Sequence, residues 1–125
     1  MKYGSLCLTF AAVILAACST TPETSVTPTL DATQQQGQAV FKLRCAQCHA
    51  LTPDTVVIGP SLAGIATRAS TRIQGYSAEE YLEISILSLK EYLVDGFTDT
   101  MPTNFGKDLT SDELSAVVAY LMTSK

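Results

Sequence analysis

Cys45, Ala46, Gln47, Cys48 and His49 put two thiols and an imidazole into one short run of chain. At that spacing both sulfurs can form thioether bonds to the vinyl groups of a haem, with an imidazole one residue later, under the iron. A Cys-x-x-Cys pair also serves zinc sites and thioredoxin-like redox sites. Zinc needs about four ligands, commonly two Cys pairs or Cys pairs with His pairs. His49 is the one histidine of the chain, so zinc is poorly supplied. A thioredoxin-type site wants a strand running into the motif, whereas a helical pattern precedes Cys45. Counting ligands favours one covalently bound haem c on Cys45 and Cys48, with zinc and thiol redox chemistry as the alternatives.

One His cannot provide both axial positions, so the iron would be His/Met, His/Lys, His with water, or His with an open position. The sequence holds 3 methionines. Met1 is expected to leave with a leader, and Met122 sits beside the apolar stripe of the last predicted helix, where core is its expected role. Met101 falls in a Gly- and Pro-rich loop, directly before Pro102, whose fixed φ and missing N–H stiffen the segment. Thioether sulfur is a known haem partner, so Met101 is the expected distal ligand to His49. Met/His ligation raises the reduction potential and blocks substrate at iron, which describes an electron carrier. The rival is a ligand-binding or catalytic haem protein whose distal position is open or displaceable. No paired acid and base and no activated nucleophile stands out, so neither an enzyme nor a small-molecule substrate is expected.

The 125 residues carry a formal net charge of -4, enough chain for one domain plus appendages. An acidic chain without a Lys/Arg cluster repels phosphate, so nucleic acid is not an expected partner. Lys2 gives a positive start, Leu6 to Leu15 is nearly all apolar, and Ala16 and Ala17 precede Cys18. A membrane span needs about 20 apolar residues, so 1–17 reads as an export signal rather than a span. Leu15-Ala16-Ala17-Cys18 resembles the lipobox of bacterial lipoproteins. That resemblance implies acylation of Cys18, with the protein exported and anchored to a membrane on its periplasmic or extracellular side. A plain secretory signal is the alternative. The 4 cysteines then divide without remainder, since Cys7 leaves with the signal. The rest of 18–33 is dominated by Thr, Ser and Pro, a composition that cannot bury enough surface to offset ordering, and it reads as a disordered tether.

The positioning elements are helical. Thr33-Gln34-Gln35-Gln36 has the form of a capping box, predicting a helix to about Cys45 with Gly37 and Phe41 on one face. The stretch after His49 is irregular through about Gly75, with one short helix expected over 62–68. A run of that length argues against a compact domain unless something fills its inside, and haem would be that filler. Ser77 and Glu80 form a second box, opening a predicted helix to about Leu93 with Leu82, Ile86, Leu89 and Leu93 as its stripe. Its glutamates are expected to form a solvated face. Residues 94–109 read as loop. Thr110 and Glu113 form a third box before Leu114, Val117, Val118 and Leu121. No strand period is present, so the fold class is all-α.

Residues 34–125 resemble the class I c-type cytochromes. Gly37 and Phe41, the Cys45 to His49 motif, Gly59-Pro60-Ser61-Leu62-Ala63-Gly64, Met101-Pro102 and Ala119-Tyr120-Leu121 occur in the family's order. The resemblance implies three main helices and loops wrapped around a covalent haem. It implies that Gly37, Phe41 and Tyr120 form the contact between the first and last helices, and that the Pro60 carbonyl accepts from His49. Leu62 would pack on the haem, and Arg68 would lie near a propionate unless it is a plain surface residue. Redox proteins would be the donor and acceptor, or the chain would be a fixed subunit of a larger redox complex. The lysine-ringed edge of the mitochondrial members is missing, with only Lys42, Arg44 and Lys107 expected near it.

Overall fold

The computed structural model describes residues 29–125. The expected leader, Cys7, the expected lipidation site Cys18 and most of the expected tether lie outside the described residues. The first helix, α1 (Ala32–Val40), is capped by Asp31, whose carboxylate accepts from the Gln34 N–H at 2.8 Å while Gln34 Oε1 accepts from the Asp31 N–H at 3.0 Å. The expected box at Thr33 is thus two residues late. Asp31 and Gln34 satisfy the same pattern, and aspartate is the better cap. The folded domain accordingly begins ahead of residue 34.

Beyond Val40 the helix continues as a π-turn, Phe41–Cys45, with the Ala46 N–H donating to the Phe41 carbonyl at 2.9 Å. Such turns admit an extra residue per ring and recur at functional sites. Here it re-aims the chain just where Cys45 must leave the helix. The last helix, Ser111–Leu121 (α5 in the order below), starts at the predicted box, Thr110 with Glu113. It crosses α1 at Gly37, where a Cβ would collide with the Ala116 carbonyl and come within 2.8 Å of the Tyr120 Cβ. Only a bare Cα permits that approach. One turn on, Phe41 meets Tyr120 with ring centroids 5.7 Å apart.

Three further helices fill the interval: α2 (Ile65–Ala69), α3 (Ala78–Leu87) and α4 (Phe105–Asp108). The short helix begins three residues later than predicted, because Gly64 takes a left-handed conformation at its cap. α3 opens at the Ser77 box but stops at Leu87, not Leu93, as Ser88 leaves helical geometry with φ -137° and ψ 64°. The continued Leu periodicity misled because Leu89 and Leu93 line the cleft described below from loop backbone. The predicted loop 94–109 likewise contains one helical turn, α4, which inserts buried Phe105 into the core. Glu79, Glu83 and Glu91 are exposed, as a solvated face requires.

The core joins Val40 and Phe41 to Ile65, Leu82, Ile86 and Val117, with Met122 packed at its margin. Among the described residues no strand forms, only an isolated bridge between His49 and Val56. The domain is all-α, as expected. No helix among the described residues is long and apolar enough to cross a membrane.

Candidate functional site

The π-turn hands over to a tight turn in which the Cys48 and His49 N–H groups both donate to the Cys45 carbonyl, at 3.0 and 2.9 Å. The following loop then folds back. The Ile58 and Gly59 N–H groups donate to the Cys48 carbonyl at 3.2 and 2.9 Å, and the Leu62 N–H donates to the Ala50 carbonyl at 2.8 Å. These bonds lay residues 58–62 against the motif. His49 Nδ1 sits 2.8 Å from the Pro60 carbonyl oxygen. A carbonyl can only accept, so Nδ1 carries a proton, and in the neutral ring Nε2 then has its lone pair free for a metal. The ring lies on bare backbone, since a Cβ at Gly59 would stand 2.9 Å from both ring nitrogens.

Cys45 and Cys48 are free thiols. Burial, with a smaller push from Cys48, raises the Cys45 thiol to about 11. Reactive redox cysteines have lowered values that favour thiolate at neutral pH, so the thioredoxin-like alternative fits poorly. Nor does zinc fare better: among the described residues no three His, Cys, Asp or Glu side chains cluster as a metal site.

Cys45, Cys48 and His49 open into a cleft that Met101 and Leu62 also line. The cleft encloses about 1120 Å³, its open mouth included. The lining is mostly aliphatic and aromatic. Ile58 and Leu93 belong to it while 59% and 50% exposed, apolar surface that a flat hydrophobic group would cover. Two thiols, a metal-ready imidazole and a thioether on one apolar cleft fit a covalent haem.

Arg68 also lines the cleft, yet its guanidinium is engaged by the protein. It donates to the Ser61 carbonyl at 2.9 Å and to the Ala63 carbonyl. Lys42, Arg44 and Lys107 are exposed. Sequence reasoning missed Arg72, Tyr81 and Tyr92. Arg72 Nη1 donates to the Tyr92 hydroxyl at 3.1 Å and its Cζ lies 5.8 Å from the centroid of that ring, while Tyr92 meets Tyr81 edge-on with centroids 5.6 Å apart. All three line the cleft. Arg72 could have been flagged as a second basic residue four positions beyond Arg68. The tyrosines belong to different elements and share no spacing.

The sequence model of the family described as Cytochrome c matches residues 34–125. Among curated proteins, a Cytochrome c type-1 from Ascaris suum is 40% identical over 42 residues, covering 34% of this chain and 38% of that protein. A Cytochrome c from Gibberella zeae is 43% identical over 44 residues, covering 34% of this chain and 42% of that protein. The chain therefore spans 38% to 42% of the length of these relatives.

Proposed function

The chain belongs to the cytochrome c family, which binds haem c covalently, and from that premise we propose a membrane-anchored, single-haem electron carrier with His49 and Met101 as axial ligands. The observation that supports it is the meeting of Cys45, Cys48 and His49 with the sequence-distant Met101 on one apolar cleft. When bound, the haem supplies reversible one-electron exchange at its iron. Cys45 and Cys48 would hold it by thioether links. His49 presents Nε2, and its Nδ1–H, held by Pro60, sets ring orientation and strengthens the ligand's basicity. The thioether of Met101 would be the second protein ligand and raise the potential. Leu62, Leu82 and Ile86 keep water from the site.

The donor and acceptor in this reading are redox proteins serving respiration, met through brief contacts of less than about 1,200 Å². The leader and the lipobox-like Leu15 to Cys18 support export and a lipid anchor, with Thr- and Pro-rich chain as the tether. Such a tether of about twelve residues, ending ahead of the Asp31 cap, reaches at most about 40 Å. It confines the carrier near membrane-bound partners and raises its effective concentration there.

Spectra of the exported protein, oxidised and reduced, test the reading. A haemochrome typical of thioether-bound haem is expected, together with the weak red sulfur-to-iron band. Met101→Ala should abolish that band, leave haem attached and admit carbon monoxide to the reduced form. Rapid carbon monoxide binding by the unsubstituted protein would instead favour the open-site rival.

A further inference from the structure

Ser124 makes four hydrogen bonds at the junction of α5 and the proximal loop. Its N–H donates to the Leu121 carbonyl at 3.0 Å, which ties it to the end of α5. Its hydroxyl donates to the Leu62 carbonyl at 2.9 Å and accepts from the Gly64 N–H at 3.1 Å. Its own carbonyl accepts from the Ala66 N–H at 3.0 Å. Arg68 holds the carbonyls of Ser61 and Ala63. Three successive carbonyls, 61 to 63, are thus each held by a side chain.

The residue just before them is Pro60, whose carbonyl receives the His49 Nδ1–H. Proline has no N–H with which to anchor itself, so the direction of its carbonyl depends on how the flanking chain is held. The path of fastening is continuous: α1 carries the motif, α1 crosses α5 at Gly37, α5 carries Ser124, and Ser124 grips the loop that returns to His49.

From this circuit, and resting on the reading of His49 as an axial ligand, we infer that Ser124 is a positioning residue for the proximal imidazole, acting through the loop that aims the Pro60 carbonyl. A looser loop weakens the bond to Nδ1–H, makes the imidazole a poorer donor and disfavours ferric iron.

The test compares haem-loaded protein with Ser124→Ala and Ser124→Thr. In Ser124→Ala the midpoint potential should rise, and the Gly64 amide should exchange roughly five-fold faster, the loss of about one hydrogen bond. Ser124→Thr, which keeps the hydroxyl, should restore both. A purely structural role predicts lower resistance to denaturant with an unmoved potential, and that result overturns the inference while leaving the carrier reading intact. A wild-type spectrum without thioether-bound haem overturns both. If Ser124→Ala does not accumulate with haem, native-state exchange of the unsubstituted protein decides. One shared opening for the Gly64 and Ala66 amides and the His49 Nδ1–H supports the inference, and separate openings overturn it.

Discussion

Gly59 controls where the His49 ring can lie, because any side chain there would occupy the space of the imidazole. Gly59→Ala should therefore push the ring off its seat and lengthen the bond to Pro60. The expected loss is about 1–3 kcal/mol, typical of overpacking a tight site, read by denaturant titration of the haem-loaded protein alongside its visible spectrum. Little of this contact was legible beforehand. The residues of the Cys45 to His49 run announce themselves because covalent attachment demands a fixed spacing. Gly59 announces only a turn, since the sequence carries no record of which ring approaches it. Arg68 was legible as a basic residue near the site, but its hold on two carbonyls depends on loop curvature that no periodicity encodes.

At the scale of elements, capping chemistry was the most readable signal: the boxes at Ser77 and Thr110 open their helices as predicted. What failed was helix length, because Leu89 and Leu93 keep helical spacing while serving the cleft from a loop. The caps also set an acid response. Hydrogen bonds from the Ser77 and Thr110 backbone N–H groups, and secondarily from their hydroxyls, hold Glu80 and Glu113 below the ordinary carboxylate value of 4.5. A depressed carboxylate stabilises the fold above its unfolded value. That contribution starts to fade as pH falls past about 4.5 and is lost through the lowered folded values. Stability of the haem-loaded protein, followed by denaturant midpoint against pH, should drop over this window, and less steeply in Glu113→Gln. Thr110→Ala should remove about 1 kcal/mol at neutral pH through the lost cap, measured by the same titration.

For the molecule as a whole, the cleft takes the place of a solid centre. Tyr81, Leu82 and Ile86 belong both to the core and to the cleft wall, so the interior is completed by what binds between them. Protein lacking its two attachment thiols, as Cys45→Ala/Cys48→Ala, should without haem lack a cooperative thermal transition and near-ultraviolet dichroism. A sharp, cooperative melt of that variant would contradict this view of the core. The all-helical class was legible from caps and stripes, whereas the size of the cleft was visible only indirectly, as too much irregular chain for a compact domain. The crossing of α1 and α5 at Gly37 has one more implication, for the order of events as the chain folds. Joining helices so far apart along the chain incurs most of the loop-closure entropy at once. After that step the intervening loops form under confinement, and a loop that later springs open can shut again while the two-helix clasp stays closed.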